Sequence, residues 1–513
     1  MYNPANGFII YCANCYASDA WNPLDYGREY DFSKPFFVQF SELLKQVPRR
    51  ALLGVNPGEN TEYSNFVFNS KDSFLSYSVV KSEFIYHSRG VDYSKNCLDC
   101  TNIKECESSY WILQGARNYN CRNLVDSHDC LDSAFLYDCA NCSSCFMSSN
   151  LRNQKYVFRG QQLDKDSYNE AIKKIEFGSF VQNEELKKEF KFMIENNAIH
   201  RYANIFKSPN STGNYIENSK NVKQSFEIFG AEDSKFGWRL VDNPKDIYDV
   251  IGSGKSELAY ESVGITWGTR NSCFINLGAN TTDSQYCDYC MNVADIFGSI
   301  SVNKGQYVIM NRQYTKDEYF DLVEKIKNHM NEMPYVDEQG RVFTYGEFFP
   351  QICVPYAYNE TLAQEYFPID ESKALTLGYF WRPQEKKTNK PTIDSKDVPD
   401  LIVDVADDIL AEAIGCSHEG NCPHQCTTAF KIHPEELAYL RKWKIPAPRL
   451  CPNCRHYERN ELRAPMKLWD RQCMCDKTNH GHTESCPNEF ETSYSSDRPE
   501  KIYCESCYQK EVF

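Results

Sequence analysis

Ser73-Phe-Leu-Ser76, Cys97-Leu-Asp-Cys100, Cys121-Arg-Asn-Leu124 and Cys145-Phe-Met-Ser148 begin at a constant step of 24 residues along the chain. Cys106 and Cys130 repeat that step, and so do the aromatics Trp111 and Phe135. Small and aromatic residues recurring at one period mark stacked coils, in which each turn lays equivalent side chains over the last. Between these positions the sequence runs in short alternating stretches broken by Asn, Asp, Ser and Gly, without helical periodicity. This pattern predicts a parallel β-helix rather than stacked helices. The step of 24 residues suits a coil of three short strands and three turns.

A second, looser set of coil starts reads Ser225-Phe-Glu-Ile228, Asp249-Val-Ile-Gly252, Cys273-Phe-Ile-Asn276 and Phe297-Gly-Ser-Ile300. The two sets belong to an internal duplication with an offset near 151 residues: Tyr156, Gln162, Lys165, Asp166, Tyr168 and Ile175 match Tyr307, Gln313, Lys316, Asp317, Tyr319 and Ile326. Upstream, Cys139, Asn141, Phe146 and Ser148 match Cys290, Asn292, Phe297 and Ser299. A helix is expected before each copy, over 37–46 and 183–196, and a capping helix after it, over 165–175 and 316–329. The predicted fold is mainly β: two tandem parallel β-helix (solenoid) segments of about four coils each, with flanking and capping helices, plus a C-terminal zinc-ribbon-like module. The expected divisions are an N-terminal partial zinc knuckle and arm (1–36), a first repeat (37–182), a second repeat (183–332), an aromatic and Pro-rich connector (333–415) and a double zinc-ribbon-like domain (416–513).

The cysteines fall into two populations. Cys97, Cys121 and Cys145, on the coil ruler, are expected to be buried thiols acting as small hydrophobes, with a lumenal metal or disulfide ladder as the alternative. Residues 416–507 hold ten of the 24 cysteines. Two four-ligand sets can be assembled there: Cys422 and Cys426 with Cys451 and Cys454, and Cys473 or Cys475 with Cys486, Cys504 and Cys507. Paired-cysteine knuckles at this separation are what a tetrahedral zinc site needs, because each fixes two thiolates on a tight turn. Cys416, His418, His424, His480 and His482 compete for the upstream positions. Four thiolates close a site, so about two structural Zn2+ ions are expected. His480-Gly481-His482 with Glu484 is the local candidate for an open, catalytic zinc.

At the front, Ile10-Tyr11-Cys12-Ala-Asn-Cys15-Tyr16 echoes Ile502-Tyr503-Cys504-Glu-Ser-Cys507-Tyr508 without a second knuckle before it. The pair reads as a relic, with ligands borrowed elsewhere in the fold or from a partner chain as alternatives. The phrase Tyr-Cys-x-x-Cys-Tyr followed by Ala17-Ser-Asp-Ala-Trp21-Asn-Pro-Leu-Asp-Tyr26-Gly-Arg-Glu-Tyr-Asp31, together with Arg449-Leu-Cys-Pro-Asn-Cys-Arg-His456, resembles uncharacterised cysteine-rich zinc-ribbon proteins of uncultured small-genome bacteria. The resemblance spans nearly the whole chain. It implies duplicated coils with a ribbon at each end, and zinc; it carries no catalytic residues, and the missing first half of the front ribbon departs from it.

A net charge of −15 argues against a surface coated with nucleic acid. No apolar run approaches a membrane span and no secretory signal is apparent, so a reducing cytoplasm is expected and no membrane contact. Residues 431–471 break the acidic average with ten Lys/Arg against five Asp/Glu. Arg455, Arg459 and Arg463 fall along an expected helix there, near Trp443, Tyr457 and Trp469, and could hold phosphates while the rings stack bases. The alternative is a solvated helix whose Arg stems cover the ribbon core. Gly252-Ser-Gly254-Lys255-Ser256 lacks the spacing of a phosphate loop. The leading reading is a non-enzymatic zinc-binding scaffold with an unknown protein partner. A zinc-ribbon protein for RNA or single strands and a β-helix carbohydrate-active enzyme are the alternatives.

Overall fold

From Phe66 to Arg159, every third residue holds a left-handed backbone, with Gly90 occupying one of these positions. The computed structural model describes residues 6–55, 58–61, 63–233, 256–257, 268–383 and 389–513. The coil start at Asp249 and the glycines of 252–254 lie outside them. A left-handed residue costs roughly 1–2 kcal/mol for most L-amino acids and least for Asn and Asp. Asn96, Asp99, Asn102, Asn120, Asn123, Asp126, Asp129, Asp132, Asp138 and Asn141 all occupy such positions. The residue after each one turns inward and is buried: Cys97, Cys100, Ile103, Cys121, Leu124, Ser127, Cys130, Ser133, Cys139 and Cys142.

This three-residue beat builds short parallel strands. Asn65–Phe68, Tyr77–Val80, Arg89–Asp92 and Thr101–Lys104 pair in one series, and Lys71–Phe74, Glu83–Tyr86 and Lys95–Leu98 in another. Both series run into Glu107–Ala116. The register corrects the expected coil. Tyr77 faces Arg89 and Arg89 faces Thr101, a step of twelve residues carrying two strands, not 24 carrying three. The chain of partners Lys95, Glu107, Tyr119, Leu131 and Ser143 puts Cys97, Ser109, Cys121, Ser133 and Cys145 in one column, with thiols on alternate steps. The molecule is thus strand-rich, with many parallel strands in its sheets.

Inward hydroxyls and thiols bond the backbone of the steps around them. Ser76 Oγ lies 3.0 Å from the Phe74 carbonyl and 3.2 Å from that of Ile85, and accepts the Ser88 N–H. Cys97 Sγ sits 3.4 Å from the Lys95 carbonyl and 3.6 Å from that of Cys106 in the same manner. Burial pushes the Cys106 and Cys121 thiols up to about 12, so they stay neutral. Outside the column, Asn and Asp side chains bond across one step, as in Asn120 to Asp132 and Asn141 to Asn153. Because Ser and Cys already alternate in this column, Cys121→Ser is expected to change stability by less than about 1.5 kcal/mol. Urea unfolding checks this, and a loss of several kcal/mol would mean the thiol fills a role serine cannot.

The second copy repeats the design. Cys273–Thr282, Gln285–Phe297 and Asn303–Ile309 pair in parallel, with Cys273 facing Gln285 and Met291 facing Asn303. Each set ends in an antiparallel pair, Val157–Phe158 with Gln161–Gln162 and Asn303–Ile309 with Arg312–Gln313, followed by the helices Lys165–Ile172 and Lys316–Glu332. Helices thus stand at both places where a capping helix is expected, their bounds shifted by a few residues.

Among the described residues, each leading helix packs on the other copy. Phe36, Phe37, Phe40, Leu43 and Leu44 of Phe36–Gln46, ahead of the first copy, pack on Phe274, Tyr286, Phe297 and Ile309 of the second. Leu186, Phe190 and Ile194 of Phe180–Asn196 pack instead on Trp111, Phe135 and Phe146 of the first copy. The leading helices are thus exchanged between 37–182 and 183–332, each offering its apolar stripe to the aromatic strand face of the other copy. In the connector, the short helix Leu362–Tyr366 is capped by Thr361 Oγ1. No helix among the described residues is long and apolar enough to cross a membrane.

Candidate metal centres

The tail is two modules built alike. In the first, Ile414–Gly415 pairs antiparallel with Ala429–Phe430, so Cys416 lies across from Thr428, two residues past Cys426. Cys451 then caps the helix Pro452–Asn460, whose Pro at its start fits a position where no N–H is needed, and Cys454 sits in its first turn. In the second, Trp469–Gln472 pairs antiparallel with Glu489–Thr492, bringing Cys473 toward Cys486, and Cys504 caps Glu505–Val512 with Cys507 one turn on. The Cys451 N–H donates to Cys416 Sγ at 3.3 Å, and the Cys504 N–H donates to Cys473 Sγ at 3.2 Å. Backbone donors aimed at sulfur favour its anionic form. Burial pushes the Cys504 thiol up, but hydrogen bonds from Ser506, Asn488 and Cys507 outweigh it and bring the group down to about 6.

The ligating atoms gather into four groups whose members lie within 4.8 Å of one another. Cys416, Cys426, Cys451 and Cys454 form one, wholly buried, and Cys473, Cys486, Cys504 and Cys507 another, equally buried. These clusters could hold metal ions. A tetrahedron with metal–sulfur bonds of about 2.3 Å has edges of about 3.8 Å; Cys486 Sγ and Cys504 Sγ are 3.9 Å apart.

Of the residues singled out from the sequence, Cys426, Cys451, Cys454, Cys473, Cys486, Cys504 and Cys507 are thus brought together, and two are placed elsewhere. Cys416 takes the position expected of Cys422, because it directly follows the strand Ile414–Gly415, whose pairing with Ala429–Phe430 carries its sulfur to Cys426, Cys451 and Cys454. Cys422 joins His418, His424 and Cys454 in a third group, and Cys475 joins His480, His482 and Cys507 in a fourth. Glu484 offers its backbone carbonyl to His482 Nδ1 at 2.5 Å. The front pair stands apart: Cys12 and Cys15 are exposed, the Cys15 N–H donates to Cys12 Sγ, and among the described residues no third ligand joins them. Their setting nonetheless repeats that of the tail. Ile10–Tyr11 pairs in parallel with Arg49–Arg50 as Lys501–Tyr503 pairs with Ile199–Arg201, just after each leading helix.

The arginines proposed for nucleic acid are turned inward, which corrects that expectation. Arg455 pairs with Asp99 at 2.7 Å and Glu436 at 3.1 Å, and Asp99 is fully buried. Arg459 is also fully buried and bonds Thr101 Oγ1. Arg463 pairs with Glu227 at 2.8 Å and lies over the Tyr366 ring. Their charges fix the first module to the body of the molecule and leave none of these guanidinium groups open to phosphate. His87 and Arg455 beside Glu436 hold its carboxylate at about 2 against the pull of burial. A depressed folded value means that this carboxylate supports the fold fully above about pH 4.5 and loses that support as pH falls toward 2. Glu436→Gln is expected to reduce the drop in urea midpoint between pH 5 and pH 3; an equal drop in both proteins would remove Glu436 from the acid response.

No family model, no curated protein and no solved structure gives a significant match to this chain.

Proposed function

We propose that the chain is a non-enzymatic zinc-binding scaffold. Its two sets of parallel strands act as rigid β-solenoid segments with twelve-residue coils, and its tail modules are zinc ribbons that fasten onto them. The observation that carries this reading is the pair of buried four-cysteine groups, each seated at a helix cap with backbone N–H groups on sulfur. Four thiolates in tetrahedral reach suit zinc, and they leave no coordination position for a substrate. That closure favours a structural role over catalysis. The 24 free cysteines fit a reducing compartment, and a protein partner is the expected occupant of the strand faces.

The alternatives draw less support. Phosphate binding through the 431–471 region loses its three leading arginines to buried ion pairs. A carbohydrate-cleaving site would need free carboxylates in a cleft. In the cleft of about 250 Å³ between residues 90–114 and 204–229, Glu227 is occupied by Asn102, Gln114 and Arg463.

Elemental analysis of the purified chain tests the proposal. Zinc at two or more ions per chain is expected, and stripping it with a strong chelator should lower the melting temperature by on the order of 10 °C. A metal-free protein with an unchanged melting curve, or iron in place of zinc, would overturn it.

A further inference from the structure

The seven metal-binding side chains of each tail module are more than one ion requires. In the first module Cys454 belongs to both the four-cysteine group and the group of His418, Cys422 and His424. In the second, Cys507 belongs both to its four-cysteine group and to that of Cys475, His480 and His482. The two modules arrive at this by the same route. The loop between the first and second cysteine of the main set carries one further cysteine and two histidines, at 416–426 and again at 473–486. In both, the shared sulfur is the second cysteine of the helix-capping pair.

We propose that each module holds two zinc ions bridged by one thiolate, Cys454 in the first and Cys507 in the second, giving four ions per chain. This rests on the zinc-binding reading above and deepens it. One ion takes four sulfurs; the other takes the bridging sulfur, one further cysteine and two imidazoles.

The geometry of the second sites supports ligation beyond the mere presence of the residues. Cys422 Sγ lies 3.7 Å from Cys454 Sγ, the edge length of a thiolate pair on a tetrahedral ion. Cys507 Sγ lies 3.5 Å from His482 Nε2, close to the shorter sulfur–nitrogen edge of the same polyhedron. The histidines are also oriented from behind. His480 Nε2 faces the Glu511 carboxylate at 3.3 Å, leaving Nδ1 aimed at Cys475 Sγ at 3.1 Å. His482 Nδ1 is taken by the Glu484 carbonyl, leaving Nε2 toward Cys507. A metal-bound imidazole is ordinarily held in this way, its second nitrogen donating to a carboxylate or carbonyl. In the first module, His418 Nδ1 and His424 Nδ1 are buried with no hydrogen-bond partner. Such orphaned nitrogens are costly inside a protein, and an ion satisfies them.

Charge favours the paired arrangement as well. Four thiolates on one dication leave two net negative charges in a buried site, whereas five thiolates with two neutral imidazoles on two dications leave one. A bridging thiolate is within the ordinary chemistry of sulfur, whose remaining lone pairs accept a second soft or borderline cation. The proposal therefore removes both the orphaned imidazoles and half of the residual charge.

The experiment is metal counting on the full chain carrying Cys12→Ser and Cys15→Ser, so that the exposed front pair adds nothing. Native mass spectrometry with elemental analysis is expected to give four zinc ions per chain. Two ions would overturn the bridged pairs while leaving the zinc scaffold intact; none would overturn both. Cadmium-113 exchanged into the same protein should show four resonances in two scalar-coupled pairs, because coupling passes through the shared sulfur. Four uncoupled resonances would refute the bridge. His480→Ala with His482→Ala is expected to lower the count from four to three with the main four-cysteine ion retained, and loss of no ion would exclude the fourth group as a site. Should that variant fail to fold, the coupling pattern of the parent protein decides alone.

Discussion

Cys451→Ala is expected to release metal from the first tail module and unfold that module, leaving the strand body folded. Cys451 caps the helix Pro452–Asn460 and holds Cys416 through its own N–H, so its loss removes a ligand and loosens the turn that presents Cys454. The scale is large. Structural zinc contributes apparent folding free energies of about 10–16 kcal/mol in small modules, comparable to or above the roughly 5–15 kcal/mol net stability of a whole domain. The core beneath is shared: Cys416, Cys426, Cys451 and Cys454 pack with Ile402, Ile414, Leu437 and Leu440, and reach Leu98 on the body. Opening the site exposes that cluster. Hydrogen exchange read by mass spectrometry should show protection lost across residues 393–460 and kept across 65–158. Retained protection in Pro452–Asn460, with an unchanged zinc count, would sink the claim that the thiols of the tail grip ions.

The comparison with Cys121→Ser separates the two thiol populations by physics. A column thiol meets backbone carbonyls that a hydroxyl can meet equally, as Ser109 and Ser133 already do on neighbouring steps. A tail thiol meets other thiols and backbone N–H groups, an environment that asks for negative charge and a cation. Serine supplies neither.

Much of this division was legible in the sequence, and what escaped did so for identifiable reasons. The interval between Cys97, Cys121 and Cys145 is real, yet it measures two pairing steps, since serine and cysteine alternate in one column and the eye follows the sulfur alone. The finer signal was present: Asn or Asp stands directly before an inward Cys, Ser, Ile or Leu at 96, 99, 102, 120, 123, 126, 129 and 132, a beat of three set by the left-handed backbone. The duplication was readable from matched residues, but the exchange of leading helices was not. Nothing local in Phe36–Gln46 says that its apolar stripe will meet Phe297 rather than a strand of its own copy. In the tail, the pairs Cys451–Cys454 and Cys504–Cys507 declare themselves by spacing, because a knuckle is a local turn. The choice of Cys416 over Cys422 depends on which residue follows the strand that pairs with Ala429–Phe430, and spacing carries no record of strand pairing. The arginines misled for the same reason: a basic helix is visible in sequence, while its acidic partners, Asp99 and Glu227, lie hundreds of residues away.

Those partners give the second large effect. Asp99→Ala is expected to destabilise the chain by about 3–5 kcal/mol, the cost of leaving a buried charge uncompensated. Asp99 sits at the centre of the contact between body and tail. Its carboxylate receives Arg455 at 2.7 Å and lies 3.6 Å from Arg459, and both arginines are buried. Arg455 in turn reaches Glu436, which His87 also meets at 3.1 Å. Removing Asp99 leaves two buried guanidinium groups with one neighbouring carboxylate. The group also occupies a left-handed position, φ 54°, where alanine is poorly tolerated, so backbone strain adds to the loss. Asp99→Asn separates the two contributions, because asparagine keeps the backbone preference and one acceptor while discarding the charge. If the ion pairs dominate, Asn will recover little of the stability lost in Ala, and the double variant Asp99→Asn with Arg455→Met will recover more than either single change. Full rescue by Asn alone would instead assign the effect to the backbone, and the charged seam would then be a consequence of the docking of the tail rather than its fastening.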